Sequence, residues 1–310
     1  MSLTKLPNIS TILPPTMVRA VTPKTIHRLR SVEVFPAPAF RLPVMPVPMH
    51  GSGPTPHAHE FEELVLITGG RGLHTIGAES YPIDAGEVFV VLRGMSHHYP
   101  ETQGLSLINI LYDPRRFRVA RADLAALPGY HALFEVEPRL RQRERFQNRL
   151  KLPLRELGPL LGIVAEMERE LAERPPGYRY MATVHFERIV GFLARAYTQA
   201  TAPGVRPVTQ ISEALAYLER HYTEPVTVED VAEAAGTSPT SLYRLFRDVV
   251  GRSPIDYLIR LRIEKAAQLL RRGGLRISEV SGAVGFNDSN YFARQFRSVT
   301  GRSPREYARG

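Results

Sequence analysis

The chain contains the stretch Phe246-Arg247-Asp248-Val249-Val250-Gly251-Arg252-Ser253-Pro254-Ile255-Asp256-Tyr257, which returns fifty residues later as Phe296-Arg297-Ser298-Val299-Thr300-Gly301-Arg302-Ser303-Pro304-Arg305-Glu306-Tyr307. An internal repeat of this kind indicates a supersecondary unit that occurs twice and buries the same face each time. We therefore expect the last third of the chain to hold two similar helical units.

Each copy lies in a pattern of short helix, glycine turn and second helix. In the first unit, at about residues 227–250, Gly236 turns the chain and Ser238-Pro239 starts the second helix with a good N-cap and a proline at the first helical position. The second unit, at about residues 277–300, has Gly285 in its turn. The pattern predicts two helix-turn-helix motifs, whose second helices can enter the major groove of DNA.

Positive charge is concentrated beside this repeat. The formal net charge is +9, and the segment from Arg244 to Arg276 holds nine positive and three acidic residues. A basic surface favours a polyanionic partner such as nucleic acid. A generally arginine-rich proteome would also give a basic chain, so the uneven distribution carries more weight than the total.

Composition limits the remaining choices. The chain has 310 residues, enough for two domains, and 43% of them are hydrophobic, which is ample for packed cores. It has no cysteine, which excludes disulfides, thiolate catalysis and cysteine-ligated zinc, and which fits a reducing compartment. The sequence shows no signal-peptide pattern and no apolar run near the ~18 residues of a membrane span. We therefore expect a cytoplasmic protein without membrane contact.

Short strand-like segments separated by glycine and proline turns begin near Ser31 and predict a small β barrel or sandwich. If one strand runs through His57, His59 and Glu63, alternation places these three side chains on one face. Two imidazoles and a carboxylate can bind a divalent metal, and His97 is a candidate fourth ligand. A metal-free pocket that hydrogen-bonds a ligand is an equal alternative, and a purely structural role is the third.

Helical periodicity replaces the strand pattern in the middle of the chain. Two helices, from about Leu154 and from about Met181, are expected to pair as an antiparallel hairpin, which either covers the barrel or forms a homodimer interface. The expected organisation is an irregular segment at 1–30, an effector-binding barrel at 31–125, a helical linker and dimerisation region at 126–205, and a DNA-binding domain at 206–310. The fold class is α+β multidomain.

The histidine region resembles the first cupin motif. Gly51, five residues, His57-x-His59, three residues, Glu63, six residues and Gly70 match its spacing, and the stretch from Gly86 to His97 resembles the second motif. Leu92 stands where that family usually has proline, and Glu101 where it has asparagine. The resemblance implies a cupin-like barrel that could hold zinc, nickel, iron or manganese on His57, His59, Glu63 and His97.

The C-terminal third resembles the AraC/XylS family of transcription regulators. The resemblance is carried by Leu242-x-Arg244-x-Phe246, Gly251-x-Ser253-Pro254, Gly285-Phe286-x-Asp288-Ser289-x-Tyr291-Phe292-x-Arg294-x-Phe296 and Gly301-x-Ser303-Pro304-x-x-Tyr307. Asn109-Ile110-Leu111-Tyr112 and Arg116-Phe117 also look like the sugar-responsive, rhamnose-regulator branch. The implied partners are double-stranded DNA, a small-molecule effector of the sugar or organic acid class, RNA polymerase and a second copy of the chain.

The same resemblance implies which side chains meet DNA. Base reading would fall to the exposed side of the two second helices, and neighbouring arginines would hold phosphates. The residues so assigned are Thr240, Tyr243, Arg244, Arg247, Ser289, Asn290, Arg294 and Arg297.

Together these patterns predict a DNA-binding transcription regulator controlled by an effector in the barrel, and not an enzyme. One alternative is a cupin metalloenzyme with dioxygenase or isomerase chemistry on the His57, His59, Glu63 and His97 set. The other is a constitutive DNA-binding protein whose barrel only dimerises.

Overall fold

The computed structural model of the protein describes residues 26–35, 40, 42–114, 121–141, 150–199 and 206–309. Most of the predicted irregular segment 1–30, and the pair Arg116-Phe117, lie outside the described residues. The chain divides into two compact units, one formed by residues up to 121 with 133–202, the other by 122–132 with 203–310. Each unit is described by itself.

The N-terminal unit is built on one curled sheet that has nine strands within the described residues. The strands and one short helix are β1 His27–Leu29, α1 Ser31–Val34, β2 Val44–Val47, β3 Gly53–His59, β4 Glu62–Ile76, β5 Glu79–Asp84, β6 Glu87–Val91, β7 His97–Tyr99, β8 Thr102–Tyr112 and β9 Leu150–Lys151. The sheet closes on itself because the long strand β4 pairs antiparallel with four others, β5, β6, β7 and β8.

Strand β4 can curve because glycines interrupt it. Its register against β8 shifts on both sides of Gly69. Gly70 has φ +70°, and a Cβ there would lie 2.1 Å from the carbonyl oxygen of Gly104, so no other residue fits this crossing. The bend lets one strand contribute to opposite walls of the barrel. The predicted α+β fold class with a cupin-like sheet is confirmed.

The sequence analysis predicted one continuous strand through His57, His59 and Glu63, but the structure has two strands there. Strand β3 ends at His59, a bend follows at Glu60 and Phe61, and β4 begins at Glu62. The prediction of a single strand is therefore wrong. Within the bend, the buried Phe61 ring stacks on the His59 ring at 4.7 Å between centroids.

The helices that follow the sheet are α2 Arg121–Ala125, α3 Pro128–His131 with the π-helical turn Ala132–Val136, α4 Glu137–Arg141, α5 Leu154–Glu173 and α6 Tyr178–Gln199. Helices α5 and α6 pack on each other as the predicted hairpin. They turn at Pro175-Pro176-Gly177, and Arg188 of α6 donates to Glu166 of α5 at 2.6 Å. None of the helices in the described ranges is both long and apolar enough to cross a membrane.

The C-terminal unit contains both predicted helix-turn-helix motifs. Its helices are α7 Arg206–His221, α8 Val228–Ala234, α9 Pro239–Leu245 with the π-helical turn Phe246–Val250, α10 Pro254–Arg272, α11 Ile277–Ala283, α12 Ser289–Thr300 and α13 Pro304–Ala308. Residues 122–132 belong to this unit, and α3 packs against α7. That grouping departs from the single helical region expected at 126–205, and the predicted domain boundaries stay a prediction.

The two motifs differ in how their first helices begin. Thr227 and Asp230 cap α8 reciprocally, at 2.8 and 3.2 Å. In the second motif Arg276 stands where the first has threonine. The Glu279 carboxylate accepts from the Arg276 backbone amide at 2.7 Å, which is one of the two hydrogen bonds of a capping box. Arginine is not a residue that normally supplies the other. The N-cap residue of α11 thus makes no side-chain cap hydrogen bond, whereas that of α8 does.

Part of the positive charge near the repeat is used inside the unit. Arg262 of α10 donates from Nε to the Tyr222 carbonyl and from Nη2 to the Glu224 carbonyl, both at 2.6 Å. Lys265 pairs with Glu219 at 3.1 Å. These side chains fasten the end of α7 to α10. The concentration of charge in the sequence therefore overstates the charge available to a partner.

We predict that Gly285→Ala lowers the free energy of unfolding by about 2 kcal/mol or more. Gly285 has φ +85°, and a Cβ there would lie 2.7 Å from the Tyr222 carbonyl oxygen, which belongs to the turn fastened by Arg262. The control is Gly282→Ala in α11, where a Cβ meets nothing within 4 Å and alanine favours the helix. Urea unfolding of the full chain, followed by circular dichroism, measures both, and equal midpoints would contradict the prediction.

Candidate functional site

Three of the four predicted metal-ligand candidates meet inside the barrel. His59 ends β3, Glu63 lies near the start of β4 and His97 begins β7, and each side chain is at most 3% exposed. The Glu63 Oε2 atom lies 3.3 Å from His59 Nε2 and 3.4 Å from His97 Nε2. The polar atoms of three different strands therefore converge on one point.

The opposite edges of both imidazoles are already engaged. His59 Nδ1 lies 2.6 Å from the Phe61 carbonyl oxygen, which can only accept, so Nδ1 carries the proton and donates it. His97 Nδ1 and His74 Nε2 share a hydrogen bond at 3.1 Å. Among the described residues, His59 Nε2, His97 Nε2 and Glu63 Oε2 have no hydrogen-bond partner.

This arrangement fits a divalent cation. Zinc bonded at about 2.0–2.1 Å in a tetrahedron would separate its ligand atoms by about 3.3–3.4 Å, the spacing of Glu63 Oε2 from both nitrogens. The hydrogen bond from a ligating imidazole to a backbone carbonyl is also typical of metal sites. His59, Glu63 and His97 would hold the ion, which when bound supplies a Lewis acid able to polarise an oxygen of a ligand.

His57 stands apart from this group. Its ring lies 4.3 Å from the His97 ring between centroids, and its side chain is half-buried. Burial lowers the pKa of His57 to about 4, opposed by the negative charge of Glu63. The His57 imidazole is therefore neutral near pH 7 and faces the same interior, but it does not join the three atoms that surround the candidate ion position.

The barrel holds further polar groups that the predicted site did not include. His74 is 1% exposed and stacks between the rings of Phe89 and Tyr99, at 4.7 and 4.8 Å between centroids. Burial raises the pKa of Tyr99 well above its ordinary value and lowers that of His97 well below it, so both stay neutral. Arg141 completes the set at the end of α4. From the sequence, His74 could face the same cavity but is more often a core or solvent-facing histidine, whereas no pattern in the sequence indicates Arg141.

The C-terminal unit presents a separate polar surface on the second helix of the first motif. The four predicted residues there are all exposed, and they line a cleft of about 540 Å³ together with Ser241, Arg252 and Ser253. These four are Thr240, Tyr243, Arg244 and Arg247. Leu242 and Phe246, between them in sequence, are fully buried. One side of α9 thus anchors the helix while the other is open.

The second motif shows the same division. The Asp288 carboxylate caps α12 by accepting from the Asn290 amide at 2.7 Å, which leaves the exposed side chains at the start of the helix unused by the cap. The guanidinium of Arg294 lies over the Tyr291 ring at 5.9 Å. The four predicted residues, all exposed, are Ser289, Asn290, Arg294 and Arg297.

Two family models match the chain. An AraC-like ligand-binding domain matches residues 48–173, and a helix-turn-helix domain matches residues 231–310. The first covers strands β3 to β9 and α5, and the second covers both second helices. The two polar surfaces described above therefore lie in regions with different known relatives, one a ligand-binding domain and one a helix-turn-helix domain.

Curated relatives match over nearly their whole length. The HTH-type transcriptional activator RhaS of Escherichia fergusonii is 28% identical over 91% of this chain and 97% of its own. The HTH-type transcriptional activator RhaR of Escherichia coli K12 is 28% identical over 81% of this chain and 86% of its own. Among solved structures, the C-terminal domain of AraT, a response regulator from Geobacillus stearothermophilus, is 36% identical over 32% of this chain and 84% of that chain, with a TM-score of 0.31.

We predict that the purified wild-type protein binds about one divalent ion per chain and that Glu63→Gln weakens this binding at least about 100-fold, because the shared carboxylate ligand is lost. Metal uptake should also fall as the pH drops, since protonated ligands cannot bind the ion. Elemental analysis after dialysis against zinc, nickel or manganese measures both effects. His98→Ala, next to a ligand but outside the cluster, is the control. Equal metal content in the wild type and Glu63→Gln would show that the cluster holds no ion.

Proposed function

The chain belongs to the AraC family of transcription regulators, and on that premise we propose that it regulates transcription by coupling an effector in its barrel to two DNA-reading helices. It is a DNA-binding regulator with an N-terminal ligand-binding domain. The observation that carries the proposal is the pair of exposed helix faces on α9 and α12, each backed by fully buried aromatic or aliphatic side chains and both joined through α10.

The proposed readers of base edges lie at matching places in the two motifs. Arg244 and Arg294 each stand two residues before a buried phenylalanine, and an arginine can bind guanine in a bidentate way. Asn290 can read adenine in the same manner. Thr240, Tyr243 and Ser289 would complete base reading, and Arg247 and Arg297 would hold phosphates.

We assign the effector to the barrel interior lined by His57, His59, Glu63 and His97, with a divalent metal on the last three. Support comes from the convergence of three buried ligand atoms and from the ligand-binding family model over this region. The proposed effector is a sugar or an organic acid. The names of the relatives RhaS and RhaR describe them as activators, and for this chain we propose contact with RNA polymerase, dimerisation through residues 126–205 and a cytoplasmic location.

A metalloenzyme is the second candidate for the barrel. It is favoured by one observation, the metal-like spacing of His59, Glu63 and His97. The two candidates differ in what ligand binding must do. A regulator must bind its effector with different affinities in two conformational states, whereas an enzyme need not. A ligand that changes DNA affinity without being consumed would support the regulator.

We predict that Arg244→Ala weakens DNA binding by about 1–3 kcal/mol and relaxes base preference at one position of the site. The assay is a binding titration on sites that the wild-type protein selects from random DNA, repeated with each base changed. Arg169→Ala, which removes the same charge from an exposed position of α5, is the control for net charge. Unchanged affinity and base preference in Arg244→Ala would contradict the assignment of α9 as a reading helix.

A further inference from the structure

Arg141 brings a guanidinium into the aliphatic interior of the barrel. Its side chain is 1% exposed, and its guanidinium carbon lies 5.0 Å from the centre of the Phe89 ring. The hydroxyl of Tyr81 donates to the Arg141 carbonyl oxygen at 2.8 Å, which fastens the end of α4 to β5. This hydrogen bond to the backbone holds the Arg141 side chain in the barrel interior.

Within the described residues, the guanidinium of Arg141 has more donors than acceptors that pair with them. Its Nη2 donates to the carboxylate of Glu137, one helical turn earlier. Within the described part of the chain, Nε and Nη1 of Arg141 have no hydrogen-bond partner. Buried charges in proteins are normally both paired and fully hydrogen-bonded. Two unused donors in a water-poor interior therefore indicate an acceptor that arrives with a ligand.

A stack of rings links Arg141 to the candidate metal position. Arg141 lies on Phe89, Phe89 stacks on His74, and His74 stacks on Tyr99. The hydroxyl of Tyr99 is buried and has no hydrogen-bond partner among the described residues. His74 also shares its hydrogen bond with His97. Unused donors thus lie along one continuous face of the interior, close to the three-ligand cluster.

We propose that Arg141 binds a carboxylate of the effector, which makes the effector a small organic acid and not a neutral sugar. A carboxylate has two acceptor oxygens and a charge that the guanidinium complements, and Arg is the side chain best suited to it. Among the described residues the buried charge is paired with Glu137 alone, and the hydroxyl groups of a neutral sugar would add no negative charge. This inference rests on the proposed role of the barrel as the effector site.

Formate is the probe, because it is the smallest carboxylate and enters confined sites. Thermal unfolding of the full chain is measured in sodium formate and in sodium chloride at equal ionic strength. The midpoint of the wild type should rise by about 1–3 °C in formate, because a ligand that binds only the folded state stabilises it. Arg141→Met should lose this rise. Arg139→Met, which removes an exposed arginine from the same helix, should keep it.

Glu137→Gln separates a binding role from a structural one. If Glu137 only stabilises Arg141, the variant has a lower midpoint and no added response to formate. If Arg141 is a carboxylate site, the variant replaces the competing carboxylate by a neutral amide, which leaves the guanidinium charge unbalanced, so it should respond to formate more strongly than the wild type does. The double variant Glu137→Gln/Arg141→Met removes both buried charges, so it remains a usable non-responding protein should Arg141→Met alone fail to fold.

Three outcomes would overturn the proposal: no response to formate in the wild type, a response that persists in the Arg141 variants, or an equal response to phosphate. A persistent response would place formate at another site, including a cation on His59, Glu63 and His97. DNA binding by the wild type is measured in parallel. If the wild type does not bind DNA, the proposed regulatory function is wrong, and the formate result still tests the carboxylate site by itself.

Discussion

The desolvation of polar groups inside an aliphatic barrel is the constraint on which the N-terminal unit depends. Strands β4 and β6 supply walls of fully buried valine, leucine, isoleucine and phenylalanine side chains, and water cannot satisfy a charge placed among them. Glu63 and Arg141 are nonetheless there. Each must find opposite charge or hydrogen bonds within the protein or from something bound, so the interior is organised around these two groups.

That constraint explains how the polar groups are distributed. The Glu63 carboxylate faces the Nε2 nitrogen of His59, an arrangement that repels unless a proton or a metal cation lies between them. The Arg141 guanidinium faces an aromatic ring and one carboxylate, and two of its nitrogens have no hydrogen-bond partner among the residues that the structure describes. The Glu63 end of the ring stack is therefore suited to bind a positive ion, and the Arg141 end is suited to bind a negative group.

In the C-terminal unit the dominant constraint is the fixed relation between two short helical motifs. Short helices are marginal alone and depend on tertiary packing. Here α10 provides that packing, and Arg262 ties it to the turn before α8 through two backbone carbonyls. The two exposed helix faces differ in side chains, with Tyr243 and Arg244 on one and Asn290 and Arg294 on the other. We therefore expect one chain to recognise an asymmetric DNA site.

Much of the C-terminal unit could be predicted from the sequence because its signals are local. Caps such as Thr227 and Ser238, glycine turns and the buried positions Phe246 and Phe296 are set by neighbours a few residues away. The barrel site could be predicted only in part. His59, Glu63 and His97 were found by spacing, but the bend at Glu60-Phe61 and the displacement of His57 from the cluster follow from sheet curvature, which spacing does not encode.

The sequence by itself determined the two helix-turn-helix motifs, the run of short strands in the N-terminal part and the residue types available to each surface, because periodicity, capping and turn residues act over short distances along the chain. Only the tertiary structure decided which polar side chains share the barrel interior. His74 and Arg141 enter it from β4 and α4. Arg262, one of the positive residues near the repeat, hydrogen-bonds a backbone carbonyl of its own unit. Such placements depend on strand register and helix docking between residues far apart in sequence, and burial then fixes what each charge must bind.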